Sequence, residues 1–178
     1  MKTALFVGRF QPFHNGHLDV IKEIINDPGI DKVKIAIGSS QESFTQRNPF
    51  TFEERRLMIE RHIRDNFTGT ENNRYSDISI YSLPDINRPK IWPLYVRGLV
   101  GHFDIIFSNN KENVIDLFQK YNNRLKVEIR TTHIQFEWHA TQIRQFICEY
   151  KGWHENVPLS TIKVIEECCG DLRIRALQ

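Results

Sequence analysis

Short apolar runs alternate along the chain with stretches in which apolar residues recur every three or four positions. Ala4-Leu5-Phe6-Val7 is a run of β-forming residues suited to a buried strand, and Leu18, Ile21, Ile24 and Ile25 follow at the spacing of one helical face. Asp27-Pro28-Gly29 stops that helix, and Lys32–Gly38 predicts a second strand. Leu57, Met58, Ile59 and Ile63 predict the next helix, Ile78–Leu83 a third strand, Trp92–Val100 a helix and residues 103–107 a fourth strand. Val114, Phe118 and Tyr121 mark a further helix, and residues 125–129 a fifth strand. Ile143, Phe146, Ile147 and Tyr150 share one face of a helix, and Leu159, Ile162, Ile165 and Cys169 bury a final one over residues 159–169, with Gly170 as its stop. Residues 68–76 and the polar, aromatic stretch before His139 read as loops.

Strands that alternate with helices cannot pair as hairpins, so the pattern predicts an α/β fold: a doubly wound parallel sheet of about five strands with crossover helices and a C-terminal helical segment. Such sheets bind ligands at the carboxyl ends of their strands, beside the point where strand order reverses. That rule directs attention to the loops after each predicted strand.

The length of 178 residues is that of one domain, here 1–178, large enough to bury a core. With 40% apolar and 26% charged residues the composition is that of an ordinary globular protein. A net charge of +2 gives little reason to expect a nucleic-acid partner, and the arginines gather near glycines and loops, as suits a small polyanion. Met1-Lys2-Thr3 leads straight into the first strand and no run approaches a membrane span, so a cytoplasmic protein without a membrane partner is expected. Cys148, Cys168 and Cys169 are odd in number and lack metal-ligand spacing, and they read as reduced structural thiols.

The densest chemistry lies between the first strand and the first helix, in Gly8-Arg9-Phe10-Gln11-Pro12-Phe13-His14-Asn15-Gly16-His17. The free amides of that helix's first turn favour anions, His14 and His17 fall on one side of it, and Gly16 lets a ligand approach the backbone between them. After strand two, residues 39–50 are too long for a mere connection and end in Thr51-Phe52-Glu53-Glu54, a capping box. Arg55 follows, against the helix dipole, and reads equally as half of a structural ion pair or as a ligand contact. Before the helix at Ile143, Thr141 is a candidate cap, the free amides can meet phosphate oxygens, and Arg144 adds a fixed charge.

His-x-Gly-His after a first strand resembles the nucleotidyltransferase superfamily, and the longer string Gly-Arg-Phe-Gln-Pro-Phe-His-x-Gly-His resembles its archaeal-type nicotinamide mononucleotide (NMN) adenylyltransferases. Residues 38–55, the Asp85-Ile86 segment with Trp92, Ser108-Asn109-Asn110 and Thr141 to Arg144 extend the likeness over nearly the whole chain. The resemblance implies a Rossmann-like fold and adenylyl transfer from ATP to NMN, with Mg2+ brought by ATP and assembly as a homo-oligomer. It implies catalytic roles for His14, His17 and Arg144, and ATP contacts from these and from Gly8, Arg9, Phe10, Gln11, Asn110, Thr141 and Ile143. For NMN it implies Ser39, Ser40, Asn87, Trp92 against the nicotinamide, and Arg47 as a clamp on the phosphate. Three positions depart from the pattern. Pro89 stands where asparagine is expected, Asn109 stands for a glycine in a turn whose left-handed angles asparagine tolerates, and His139-Ala140 stands for Ser-Gly. A nucleotidyltransferase with another phosphorylated acceptor, such as nicotinic acid mononucleotide or phosphopantetheine, and a non-catalytic nucleotide-binding regulator are the alternative readings.

Overall fold

The computed structural model describes residues 1–67, 78–121, 124–132 and 139–178. Its strands are β1 (Thr3–Gly8), β2 (Lys32–Gly38), β3 (Ile78–Leu83), β4 (Ile105–Phe107) and β5 (Glu128–Arg130). They form one sheet in the order β3-β2-β1-β4-β5, every pair parallel. The chain therefore steps outward from β1 through β2 to β3, returns across the sheet, and lays β4 against the other side of β1. Strand order reverses between β1 and β4, and the crevice opens at their carboxyl ends.

Side chains alternate across a strand, and here both faces are covered. Ala4 and Phe6 of β1 join a core with α1 (Asn15–Asn26), α2 (Phe52–Phe67), α5 (Ala140–Cys148), α6 (Leu159–Glu167) and α7 (Gly170–Ala176). Leu5 and Val7 face the other way, into a core with α3 (Trp92–Val100) and α4 (Asp116–Tyr121). The doubly wound sheet expected from the pattern is thus present. No helix among the described residues is long and apolar enough to cross a membrane.

Three boundaries differ from the sequence expectation. β4 begins at Ile105 rather than 103, because Asp104 turns its carboxylate back to accept the Thr3 N–H at 2.8 Å and Phe103 is buried under the Arg97 guanidinium, 4.5 Å from the ring centre. β5 begins at Glu128 rather than 125, because Lys126 is left-handed at φ 51 and cannot continue an extended ladder. Gly170 is not a terminal stop: α6 ends at Glu167, Cys169 takes the left-handed angle at φ 50, and Gly170 opens α7. The glycine serves close packing instead, since a Cβ there would lie 2.5 Å from Phe50 Cε1. The loops expected at 68–76 and just before His139 fall outside the described residues, apart from Thr131 and Thr132.

Candidate active site

The loop leaving β1 is held from several sides before it reaches its histidines. Phe10, at φ 53, folds its ring under Gly8, where a Cβ would come within 2.8 Å of Phe10 Cζ, so that position requires glycine. Gln11 pairs its side-chain amide with both backbone groups of Phe50, each at 2.9 Å, which ties this loop to the one after β2. Arg55 completes the frame. It is fully buried and, among the described residues, forms no ion pair of the kind considered from the sequence: Nη1 donates to the carbonyls of Arg9 (2.9 Å) and Gly38 (2.8 Å), Nη2 to Ser39 (3.2 Å), and Nε to Thr51 (3.1 Å). Burial, with the charge of Arg9, pulls its pKa down to about 10, so it stays protonated at neutral pH. The capping box at Thr51 forms as read, with Thr51 and Glu54 each accepting the other's backbone N–H.

His14 is the N-cap of α1, and its backbone N–H donates to His17 Nδ1 at 3.3 Å. In the neutral ring this leaves the hydrogen on His17 Nε2, aimed away from the backbone. The two ring centres lie 3.7 Å apart, with His17 also stacked on Phe13. Burial, then the nearby His139, lowers the His14 pKa to about 4, and burial, then His14 and His139, holds His17 well below the usual imidazole range. Both rings are therefore neutral at neutral pH and offer hydrogen bonds rather than charge. A stability trend follows from the sign of these shifts. Between the unfolded value of 6.5 and about 4 the unfolded chain binds the proton and the folded His14 does not, so stability falls as pH is lowered through that window. The expected slope approaches about 1.4 kcal/mol per pH unit for each such histidine. Thermal melts from pH 7 to 4.5 check this, with His14→Gln expected to flatten the dependence; an unchanged slope would mean that His14 titrates normally.

Positive charge collects around the same point. Arg144, on α5, donates from Nη1 to the Gln11 carbonyl at 2.7 Å. Burial, then Arg9 and Arg47, lowers its pKa, and burial, then Arg47, lowers that of Arg9 against weaker opposition from Asp85 and Glu42. Arg9 Nη1 is buried without a hydrogen-bond partner among the described residues, and Arg47 makes no ion pair among them. Three guanidinium groups so placed repel one another until an anion lies between them.

The cleft lined by His14, His17, Arg9 and Arg144 measures about 370 Å³. Every residue assigned from the sequence to ATP lines it except Ile143, which is wholly buried beneath. Two local expectations change. Thr141 does not cap α5; His139 does, its N–H donating to Gln142 Oε1 at 2.8 Å, and Thr141 sits inside the first turn with its hydroxyl 3.4 Å from Arg144 Nη2. Asn109 does not use a left-handed angle, because its side chain bridges to Thr132, donating to Oγ1 at 2.7 Å and accepting the N–H at 3.0 Å. Asn110 caps the following turn by accepting the Asn113 N–H at 3.1 Å.

The residues assigned to NMN are spread more widely. Arg47 lines a second cavity of about 540 Å³ that shares Thr141 and Arg144 with the first. Ser39 is buried at φ 47, Ser40 Oγ accepts the Ser82 hydroxyl at 2.8 Å, and Asn87 is exposed at φ 45. Trp92 is partly buried, its ring edge-on to Phe118 at 5.7 Å. These four lie beyond the β2 and β3 carboxyl ends and line neither cavity. Arg55 and His139 are the site residues that sequence reasoning placed least well. The capping box marked where Arg55 lies but not that three carbonyls from two other segments would converge on it.

Residues 5–163 match the cytidylyltransferase-like family. The nicotinamide-nucleotide adenylyltransferase of Thermoplasma acidophilum is 36% identical over 178 residues, covering 99% of this chain and 92% of its own. Those of Archaeoglobus fulgidus and Saccharolobus solfataricus are 37% and 38% identical, covering 97% and 99% of this chain and 95% and 97% of their own. Among solved structures, a bifunctional NMN adenylyltransferase/ADP ribose pyrophosphatase from Francisella tularensis, complexed with AMP and a manganese ion, shares the fold with a TM-score of 0.74 at 22% identity. That superposition covers 98% of this chain but 52% of the Francisella protein. The nicotinic acid mononucleotide adenylyltransferase of Plasmodium falciparum, complexed with NaAD, shares it at a TM-score of 0.60 and 13% identity, over 94% and 96% of the two chains. The extent and level of the archaeal matches, on a chain whose cleft gathers its histidines and arginines at the β1/β4 reversal, place it in the cytidylyltransferase-like family and, within it, among the nicotinamide-nucleotide adenylyltransferases.

Proposed function

We propose that this chain transfers the adenylyl group of ATP to the phosphate of NMN, forming NAD and releasing pyrophosphate. The observation that carries the reading is the convergence of two neutral imidazoles with Arg9 and Arg144 on one cleft that no carboxylate among the described residues lines. A general base is not required. The acceptor phosphate, with a second pKa near about 6, is largely dianionic at neutral pH and can attack the α-phosphorus directly. As that P–O bond forms, the bond to the bridging oxygen breaks and its electron pair leaves with pyrophosphate. Positioning two polyanions and stabilising the departing charge is then the main task of the protein. His14 and the Nε2–H of His17 donate to the triphosphate, while Arg144 and Arg9 neutralise it, with Thr141 and Asn110 at its margins. Arg47 holds the acceptor phosphate, and Ser39, Ser40, Asn87 and Trp92 form the acceptor pocket. Among the described residues no group of three or more His, Cys, Asp or Glu could hold a metal ion, which suits Mg2+ carried by phosphate oxygens and water. When bound it supplies charge neutralisation of those oxygens.

Pyrophosphate release from ATP, measured with NMN, with nicotinic acid mononucleotide and with no acceptor, tests the reading. Release that depends on NMN and yields NAD is expected; release with neither mononucleotide would end it. Arg47→Ala is expected to raise KM for the acceptor about tenfold or more with little change for ATP, since a lost charge-assisted contact is worth about 1.5 to 3 kcal/mol on one substrate. Equal effects on both substrates would move Arg47 to the triphosphate.

A further inference from the structure

Arg47 lies in a turn of the loop after β2 that is closed on itself. The Thr45 N–H donates to the Asn48 carbonyl at 3.2 Å, the Asn48 N–H to Thr45 Oγ1 at 3.0 Å, and Asn48 Nδ2 to Glu42 Oε2 at 2.6 Å. These bonds shape the turn, but all of them stay within the loop and do not place it against the rest of the protein. Both residues that flank the turn meet one side chain of α7. Arg173 Nη1 donates to the Pro49 carbonyl at 3.1 Å on one side, and on the other the guanidinium stands over the Phe44 ring, its carbon 4.6 Å from the ring centre. The same group grips Glu54 of α2 with both terminal nitrogens, at 2.7 and 2.9 Å, and Nη2 donates to the Cys168 carbonyl at 3.2 Å.

The planar group thus uses its edge for hydrogen bonds and its face for a ring, a combination that lysine cannot make. Its partners divide by location. Glu54 on α2 and Cys168 at the end of α6 belong to the packed body, while Pro49 and Phe44 belong to the loop. Phe44 is 55% exposed and left-handed at φ 56, so core burial does not account for a phenylalanine there. Arg47, three residues beyond that ring, lines the cavity it shares with Thr141 and Arg144 of α5, whereas Arg173 lines neither cavity.

We propose that Arg173 is a positioning residue for Arg47: by holding both flanks of the turn to α2 and α6, it sets how far the Arg47 guanidinium stands from that of Arg144, and so where an anion held by Arg47 lies. Its effect on the NMN phosphate rests on the adenylyl-transfer reading; its hold on the turn does not. Arg173→Gln removes the fork, Arg173→Lys keeps a charge for Glu54, and Phe44→Leu removes only the ring. Amide hydrogen exchange at residues 45 to 48 is followed beside KM for NMN, KM for ATP and a thermal melt of each variant. Arg173→Gln should speed exchange at Thr45 and Asn48, whose N–H groups close the turn, by about tenfold. It should raise KM for NMN about three- to tenfold, with kcat and KM for ATP within about twofold of the parent. Phe44→Leu should raise the same KM about two- to fivefold at an unchanged melting temperature, the scale of one exposed cation–π contact. Arg173→Lys should regain more of the melting temperature than of KM for NMN. In Arg47→Ala protein, adding Arg173→Gln should change KM for NMN by less than about twofold, because a residue that acts through Arg47 then has nothing to act on. Unchanged exchange at Thr45 and Asn48 in Arg173→Gln would overturn the proposal whether or not the parent turns over. Equal rises in both KM values, or an effect that adds in full to that of Arg47→Ala, would overturn it too and leave Arg173 a stabilising contact. A parent that makes no NAD would defeat the adenylyl-transfer reading alone, and exchange at the turn would still judge Arg173.

Discussion

His17→Ala is expected to lower turnover by about 10²- to 10³-fold in a protein that remains folded, the scale for losing one preorganised donor to developing charge. The geometry makes this more specific than the loss of a histidine. His17 receives the His14 backbone N–H on Nδ1, so its Nε2–H is fixed before substrate arrives and needs little reorganisation during the reaction. Its depressed pKa means that it acts as a neutral donor. Turnover of the parent protein should therefore not decline from pH 7 to 9 through an imidazole titration. His17→Ala turnover within about threefold of the parent would remove the residue from the catalytic site, and an alkaline decline of the parent that disappears in the variant would mean that it works as a cation.

The largest effect on stability is expected at Arg55. Its guanidinium is wholly buried and serves four carbonyls, three of them, from Arg9, Gly38 and Ser39, at the ends of β1 and β2. Truncation to alanine leaves those oxygens buried without their donor and opens a large void, at about 3 to 5 kcal/mol. For a domain of this size that lowers the melting temperature by roughly 6 to 20 °C. Arg55→Lys keeps the charge but not the planar fork, so it should recover only part of the loss. Because the loops carrying Arg9 and Arg47 both begin at these carbonyls, KM for both substrates should rise together. Normal melting with loss confined to one substrate would instead make Arg55 a ligand contact.

The contrast between these residues shows what could be read from the chain. The histidines declare themselves locally: a strand, a glycine-bearing loop and a helix start are neighbours in sequence, so the N-cap geometry of His14 and His17 follows from ten consecutive residues. Arg55 does not. A charged residue after a capping box is normally solvated, and its burial depends on carbonyls contributed 16, 17 and 46 positions away.

The same division holds for the fold. The alternation of periods determined that the chain would be a parallel α/β sheet, and β2, β3 and α3 fall on the residues the pattern marked. Strand order was implied only as a class, since pairing β1 with β4 brings Ala4 opposite Ile105 across a hundred residues and leaves no local trace. Gly170 shows the limit at one position. Sequence marks a glycine as a break in either case, and only the Phe50 ring arriving from beside α2 decides that it is there to let two segments touch. Asn109 and Thr141 were misplaced for a related reason: short polar side chains can satisfy several backbone groups, and the partner that wins, Thr132 in one case and the cap at His139 in the other, is selected by packing. By itself the sequence determined the periods, the caps built within four residues and the charges available to a polyanion. The tertiary structure alone decided which of those charges meet, because bringing distant loops together depends on burying both faces of β1, a non-local free energy that no window of the sequence contains.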